Sequence, residues 1–296
     1  MTLRNLLDLD DLTPAEIEVV LDLSEQPAIE RVLDGRGVAL IFEKPSARTR
    51  HSTEMAVVQL GGHPVTTRAD EVGLDVRESV EDVTRTMAQY HAALCARVFE
   101  HRMLERMAAV DVLPVVNLLS DRSHPLQALA DLLTLRQRFG AVQGLRLAWV
   151  GDYTNVAASL TIGAAALGAS MVVAAPNGYG PPAVAVDRFA ESLSVVHRPD
   201  AAVKGADAVF TDTWISMGQE TSASDRVRAF EGFTVTRDLM SLASTDAVFL
   251  HCLPAHRGQE VADDVLDGPQ SLVWQEAQNR MHTARGALAF VCGVRA

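Results

Sequence analysis

The stretch that decides the fold is Val38–Arg50, which reads VALIFEKPSARTR. It starts with a run of apolar residues, Val38–Phe42, continues through a short polar loop, and enters a predicted helix capped by Ser46. A continuous apolar strand is typical of a parallel sheet that helices cover on both faces. The order strand, loop, helix is the repeating unit of such α/β sheets.

The same unit recurs along the whole chain. Helical patterns such as Ala128–Phe139 alternate with further apolar runs. These runs predict strands at Ala92–Arg97, Val115–Asn117, Leu145–Val150, Met171–Ala175, Ala208–Thr211 and Ala247–Leu250. The sequence therefore predicts an α/β protein of two domains, each with a mainly parallel sheet flanked by helices and with the active site in the interdomain cleft.

The domain boundary is predicted at Gly140–Gly144, where a helix ends and the strand at Leu145 begins. A length of 296 residues suits two domains of roughly 150 residues each. We expect a first domain over residues 1–140, a second over 141–271, and a C-terminal helix at 272–296 that packs back on the first.

Composition excludes several classes of protein. Hydrophobic residues make up 48% and charged residues 22%, which excludes a disordered chain. A net charge of −12 without a Lys/Arg run, and only 5% aromatic residues, argue against a nucleic-acid partner. Val156–Pro176 reads as a buried helix plus strand rather than a membrane span, and Met1–Asp11 does not read as a signal peptide. With three distant cysteines, we expect a cytoplasmic location.

The loop after the first strand has the composition of an anion site. Ser46, Arg48, Thr49 and Arg50 place two guanidinium groups and two hydroxyl groups at a predicted helix N-terminus. Guanidinium and hydroxyl groups that donate hydrogen bonds beside the unpaired backbone N–H groups of a helix N-terminus suit a phosphate. The alternative is a solvated basic helix start with an ordinary serine cap.

A second helix start brings together His124 and Gln127, which lie three residues apart around Pro125. A histidine can donate to a developing oxyanion, and a glutamine can bind an amide. The alternative is a capping histidine with a surface glutamine.

The loop after Leu145–Val150 lacks the G-x-G-x-x-G pattern, and this disfavours a nicotinamide cofactor. Asn155 there is either a helix cap or a ligand contact. Asp212 follows the predicted strand Ala208–Thr211 and could hold an ammonium group. Beyond it, Trp214 and Met217 are expected either to cover a ligand or to belong to a loop packed on its own apolar residues.

His251 and Cys252 follow the last predicted strand. The pair suggests a cysteine nucleophile or a zinc site, but no second cysteine lies at ligand spacing. Cys252 could equally be a half-buried residue whose neighbourhood offers backbone carbonyl groups.

Taken together, five motifs resemble those of the aspartate/ornithine carbamoyltransferase family, from near one end of the chain to near the other. S-x-R-T-R and H-P-x-Q are shared across the family, whereas S-M-G and H-C-L-P point to its ornithine branch. In chain order the motifs are Ser46–Arg50, His124–Gln127, Asp212–Gly218, His251–Pro254 and Glu276–His282.

The resemblance implies transfer of the carbamoyl group of carbamoyl phosphate to the δ-amine of L-ornithine, giving L-citrulline and phosphate. It implies no metal, no organic cofactor, and a homotrimer with sites at subunit interfaces. The catalytic candidates are Arg97, His124, Asp212 and Cys252. The residues expected to bind carbamoyl phosphate are Ser46, Ala47, Arg48, Thr49, Arg97, His124, Gln127, Cys252, Leu253 and Arg280. Those expected to bind ornithine are Asn155, Asp212, Ser216 and Met217.

The sequence departs from the family pattern at Gly73, where a glutamine usually reaches into the neighbouring subunit. Either that contact is lost or another residue of Glu71–Arg77 supplies it. Tyr153 and Thr154 also stand where smaller residues or an asparagine are common. Two rivals stay open: a carbamoyltransferase for acetylornithine, putrescine or aspartate, and a binding protein without turnover.

Overall fold

The computed structural model describes residues 3–215 and 223–294. The chain divides into a first unit, Met1–Leu133 with Asn279–Ala296, and a second unit, Thr134–Gln278. Each unit holds a parallel sheet with helices on its faces, so the predicted fold class is confirmed. The predicted domain limits at residues 140 and 271 stay a prediction.

The sheet of the first unit has the strand order β2-β1-β3-β4, and all neighbouring strands are parallel. The central strands β1 and β3 are buried almost throughout, as their apolar sequences predict. The strands are β1 Gly37–Phe42, β2 His63–Arg68, β3 His91–Arg97 and β4 Val115–Leu119. The helices are α1 Pro14–Glu25, α2 Ala47–Gln59, α3 Ala69–Val72, α4 Val80–Ala88, α5 His101–Ala109 and α6 Pro125–Phe139.

The sheet of the second unit has the order β7-β6-β5-β8-β9, again with parallel neighbours. The strands are β5 Arg146–Val150, β6 Ser170–Ala174, β7 Leu193–Val196, β8 Ala208–Thr211 and β9 Val248–His251. The helices are α7 Asn155–Ala166, α8 Ala183–Arg188, α9 Pro199–Val203, α10 Ala223–Ala229, α11 Arg237–Met240 and α12 Asp263–Leu266. Helix α13 Val273–Val291 begins in the second unit and belongs to the first unit from Asn279 onward. Strand order reverses between β5 and β8, and ligands of open α/β sheets bind at the carboxyl ends of such strands.

Two strands, β2 and β7, escape the sequence prediction. Both lie at a sheet edge, where one side of the strand has no neighbouring strand among the described residues. The sequence of β2, HPVTTR, alternates exposed and half-buried residues instead of forming an apolar run. The strands found by their apolar runs agree with the structure to within one or two residues, because those strands are covered on both faces.

Three helix starts carry residues that are predicted to bind substrate. Ser46 is the N-cap of α2, and its hydroxyl oxygen accepts a hydrogen bond from the Thr49 N–H. Pro125 is the first residue of α6, next to His124. Thr154 holds the N-cap position of α7, so Asn155 is the first helical residue and not the cap. In the described ranges, no helix is both long enough and apolar enough to cross a membrane.

Candidate active site

The phosphate-loop residues of the first unit gather at the start of α2. The Ser46 hydroxyl donates to the Thr49 hydroxyl over 3.1 Å, and Thr49 is buried. Ala47 and Arg48 are exposed on the first turn, and Arg50 pairs with Glu54 over 2.8 Å. The turn therefore offers backbone N–H groups and the Arg48 side chain, whereas Arg50 is turned along the helix.

Arg97 lies at the carboxyl end of β3 and connects the strand to that helix start. It is buried, and its guanidinium donates to the Thr49 hydroxyl over 3.3 Å. Buried arginine near a helix N-terminus gives a site with positive potential, which suits a multiply charged anion.

His124 shares this positive environment. Burial holds the pKa of His124 well below its ordinary value of 6.5, and the charges of Arg280 and Arg97 lower it further. The imidazole is therefore neutral at physiological pH. A neutral histidine can donate one hydrogen bond to a carbonyl oxygen without competing with the arginines for the anion's charge.

Gln127 is held by a residue that the motif search missed. Its side-chain NH₂ donates to the Asp131 carboxylate over 2.8 Å, and both side chains are buried. Because the NH₂ end faces Asp131, the carbonyl end of the amide is turned away from it and suits an N–H donor. The spacing of four residues on one helix is the signal that could have identified Asp131.

Arg280 belongs to the part of α13 that lies in the first unit. It is buried, and two neighbouring contacts fix the helix around it. The Thr283 hydroxyl donates to the Leu126 carbonyl oxygen at the start of α6 over 3.2 Å. Arg285 donates to the carbonyl oxygens of Ser24, in the last turn of α1, and of Gln26, the residue that follows α1.

Asp212 and Cys252 meet at the carboxyl ends of β8 and β9 in the second unit. The Cys252 thiol donates to the Asp212 carboxylate over 3.1 Å. The same carboxylate accepts from the Thr154 hydroxyl at 3.0 Å and from the Thr213 N–H at 2.7 Å. Cys252 is half-buried, as one of the two interpretations predicts, and its thiol belongs to a polar network.

Thr154 is a second residue that sequence reasoning missed. It stands at a position where the family pattern differs, yet its hydroxyl binds Asp212 and its neighbour is Asn155. The contact arises because β5 and β8 are adjacent in the sheet, which no local motif reveals. Asn155 and Asp212 therefore lie in the same region of the second unit.

His251 orders the turn that follows β9. Its Nδ1 accepts from the Leu253 N–H over 2.9 Å, and its Nε2 lies 3.2 Å from the Glu260 carboxylate. Asp212, His251 and Cys252 have potential ligand atoms within 4.8 Å of one another. A metal ion there would take a ring nitrogen that is already bonded, so the cluster fits a hydrogen-bond network better than a metal site.

Four other positions named from the sequence have different outcomes. Trp214 is buried and stacks on Phe230, which follows α10, with ring centroids 5.5 Å apart. It therefore packs in the hydrophobic core of the second unit, and not only on residues of its own loop. Ser216 and Met217 lie outside the described residues. Gly73 has a φ of 71°, and a Cβ there would meet the Arg77 side chain at 2.8 Å. Its tight turn therefore requires glycine, while the cross-subunit role of this loop stays a prediction.

Comparison with known proteins identifies the class that this fold and site define. Residues 4–137 match the family model described as aspartate/ornithine carbamoyltransferase, carbamoyl-P binding domain. Residues 143–291 match the model of the same family's Asp/Orn binding domain. The chain therefore belongs to the aspartate/ornithine carbamoyltransferase family, and the resemblance stated from the motifs is confirmed.

Individual relatives fall in the ornithine branch. The ornithine carbamoyltransferase of Acidothermus cellulolyticus is 48% identical over 98% of this chain and 96% of its own length. A relative from Pyrococcus furiosus named "ornithine carbamoyltransferase, anabolic" is 43% identical over 98% and 96%. The solved structure of the ornithine carbamoyltransferase from P. furiosus matches with a TM-score of 0.93, covering 99% of this chain and 98% of that chain.

Proposed function

We propose that this chain is an enzyme that transfers the carbamoyl group of carbamoyl phosphate to the δ-amine of L-ornithine, giving L-citrulline and phosphate. The observation that carries the choice of acceptor is the buried Asp212 carboxylate, which Thr154, Thr213 and Cys252 surround. It belongs to the unit that matches the Asp/Orn binding domain. A carboxylate there attracts the ammonium groups of ornithine and repels an acidic acceptor such as aspartate.

The first unit is proposed to bind carbamoyl phosphate. The α2 start and Arg48 hold the phosphate, since backbone N–H groups and a guanidinium are matched donors. Arg97 bridges the phosphate and the carbonyl oxygen, and His124 with Thr49 polarises that carbonyl. The carbamoyl NH₂ is bound by Gln127, with Arg280 nearby. The resemblance adds Ser46 and Ala47 to the phosphate contacts.

The second unit is proposed to bind the amino acid. Asn155 and Asp212, with Ser216 and Met217 by resemblance, hold the α-amino and α-carboxylate end. The turn at Cys252 and Leu253 offers the thiol and backbone carbonyl oxygens, which can accept from an amine N–H. Leu253 adopts a φ of 57°, and its N–H donates a hydrogen bond to Nδ1 of His251.

The proposed reaction needs no covalent enzyme intermediate. The neutral δ-amine attacks the carbamoyl carbon, an oxyanion forms, and the C–O bond to phosphate breaks. Arg97 and His124 stabilise the developing oxyanion, so catalysis rests on positioning and electrostatics. The δ-ammonium must lose one proton before it can attack, and the Asp212 carboxylate beside Cys252 is a candidate acceptor for it, with phosphate as the alternative. The attacking nitrogen then loses a second proton, which the departing phosphate can carry away.

Assembly and setting are part of the same proposal. The resemblance supports a homotrimer with sites at subunit interfaces and a cytoplasmic location, with no nucleic-acid or membrane partner. The name of the P. furiosus relative supports a role in arginine biosynthesis. Analytical ultracentrifugation of the full chain tests the assembly. A mass near three times 31.9 kDa is expected, and a monomer at working concentration would reject the trimer.

The experiment that tests the function is a citrulline assay with a panel of acceptors. Purified protein and carbamoyl phosphate are incubated with ornithine, N-acetylornithine, putrescine or aspartate, and the carbamoylated product is measured. Product with ornithine well above the other three is expected. Greater activity with N-acetylornithine would overturn the acceptor assignment, and no product with any acceptor would favour a binding protein.

A further inference from the structure

A buried arginine of the second unit lies behind the proposed ornithine-binding residues. Arg226 of α10 is 9% exposed, and its guanidinium has two polar partners on different loops. Its Nε donates to the Trp214 carbonyl oxygen over 2.6 Å, and its Nη2 forms an ion pair with the Asp152 carboxylate. The face of the guanidinium lies 4.9 Å from the centre of the Tyr179 ring.

The two partners belong to the two loops that carry the proposed amino-acid contacts. Asp152 lies in the loop after β5, which leads to Asn155 at the start of α7. Trp214 lies in the loop after β8, which starts with Asp212. The loops are also joined by the Thr154–Asp212 hydrogen bond, so Arg226 supplies a second, independent link between them.

Both loops are anchored around this arginine. The Trp149 indole N–H donates to the Asp152 carbonyl oxygen over 2.8 Å. The ring of Trp214 stacks on Phe230, which follows α10. Residues of α10 and the segment after it thus hold Trp214 by its backbone and by its ring. Since β5 and β8 are adjacent strands, these anchors set the spacing of the loops at the sheet's carboxyl end.

The ion pair also determines which charge an amino acid meets. Burial raises the pKa of Asp152, while the nearby Arg226 lowers it and the Asp212 carboxylate adds to the rise. Asp152 and Asp212 therefore influence each other electrostatically. Because Arg226 neutralises the charge of Asp152, Asp212 is the carboxylate that attracts the ammonium group of the substrate.

We propose that Arg226 is a positioning residue for the amino-acid substrate: its guanidinium fixes the loop of Asp152–Asn155 to the loop of Asp212–Ile215. This inference rests on the proposed function, because it concerns how ornithine is held. A stabilising role alone does not need both links. Buried ion pairs can often be replaced by apolar residues with little loss of stability. Only a planar guanidinium, however, can donate to both loops and also pack its face on the Tyr179 ring.

The first test compares Arg226→Lys with Arg228→Ala, which alters an exposed arginine on the same helix. A lysine keeps the charge but cannot reach both loops in the same geometry. We expect Arg226→Lys to raise the KM for ornithine about tenfold or more, the scale of one lost hydrogen bond to a charged group. The KM for carbamoyl phosphate should stay within about twofold in both variants.

The second test removes both charges with the double variant Asp152→Asn/Arg226→Met. It leaves no buried unpaired charge, so it provides a folded protein if the single variant fails to fold. Calorimetry with L-norvaline, which is ornithine without the δ-amine, measures amino-acid binding in the presence of a carbamoyl-phosphate analogue. We expect binding at least about tenfold weaker than in the wild type, since the charged bond to the Trp214 carbonyl is lost.

The outcomes separate this inference from the proposed function. Unchanged ornithine KM in Arg226→Lys, or unchanged norvaline binding in the double variant, rejects the positioning role while the wild type still makes citrulline. A wild type that makes no citrulline rejects the proposed function and this role together. A fall in kcat alone, with both KM values unchanged, also rejects the role, because it reports only a smaller active fraction.

Discussion

At the scale of the residue, Arg97 is where the strand end and the helix start of the first unit are linked. Its position at the end of a buried strand could be predicted from the sequence, but its contact with Thr49 could not. That contact depends on β1 and β3 being neighbours, which follows from the sheet order alone. The role proposed for Arg97 is transition-state stabilisation.

Replacing Arg97 with alanine is therefore expected to lower kcat by about 10²-fold or more, the scale of losing one oxyanion donor. Arg102→Ala, an exposed arginine of α5, is the matched control and should keep wild-type turnover. Citrulline formation at saturating substrates measures kcat, and circular dichroism checks the fold. A folded Arg97→Ala protein with near-normal kcat would contradict the role.

His124 provides a prediction about pH. Its pKa in the folded protein lies well below the ordinary value of 6.5, so between those two values the unfolded chain binds a proton that the folded protein does not. The free energy of unfolding must then fall as pH decreases through 6.5. From pH 7.5 to 5.5 this single group accounts for a loss on the order of 1 kcal/mol.

The variant His124→Gln should lack that loss, so its urea midpoint should depend less on pH than the wild-type midpoint does. His91, His101 and His282 also have lowered pKa values and remain in both proteins, so only the difference between the two curves is informative. His51→Gln, at an exposed position of α2, is the control. Parallel pH curves for wild type and His124→Gln would show that His124 is protonated in the folded protein.

At the scale of the element, two helices of the first unit have serine caps with different expected functions. Ser46 caps α2, and Ser79 caps α4 with a hydroxyl that accepts from the Asp82 N–H. Replacing either serine with alanine should cost about 1 kcal/mol of stability. Only Ser46→Ala should also raise the KM for carbamoyl phosphate, because only the α2 start is proposed to bind phosphate.

The comparison uses chemical denaturation for stability and initial rates for the KM. Ser79→Ala removes a helix cap outside the proposed site. The difference between the two variants in the KM for carbamoyl phosphate therefore reports the role of Ser46 in binding that substrate. Equal KM values for carbamoyl phosphate in the two variants would place the phosphate elsewhere than at the start of α2.

Elements also show how far the sequence leads. Strands β1, β3, β5 and β8 are predictable because burial on both faces demands continuous apolar residues. The edge strands β2 and β7 lack that demand, and β2 reads as a polar segment. In the site, His124 and Asp212 are predicted by the rule that ligands bind at strand ends, and Arg97 is predicted by the family resemblance. Thr154 and Arg226 are not, because their contacts join loops that are distant in sequence.

At the scale of the whole molecule, the two substrates are assigned to different units of one chain. The family models divide in the same way, with carbamoyl phosphate at residues 4–137 and the amino acid at 143–291. The δ-amine of ornithine needs a carbamoyl carbon beside it, and that carbon is present only when carbamoyl phosphate is bound. Binding of the second substrate should therefore depend on the first.

Titration calorimetry tests this dependence. L-Ornithine should bind weakly to the protein alone and at least about fivefold more tightly with a non-reactive phosphonate analogue of carbamoyl phosphate, which is the lower range of typical coupling. Thermodynamic reciprocity requires ornithine to tighten the binding of the analogue by the same factor. Equal ornithine affinity in the two titrations would show that the sites are independent.

The edge strand β2 bears on how the protein behaves in concentrated solution. An open strand edge is a template on which another chain can extend a sheet, and such edges promote aggregation. In β2, Pro64 has no N–H to offer an incoming strand, and His63 and Arg68 place exposed polar groups at its two ends. The polar sequence of β2, with its proline, makes the strand hard to predict. The same sequence disfavours pairing of β2 with a strand of another chain.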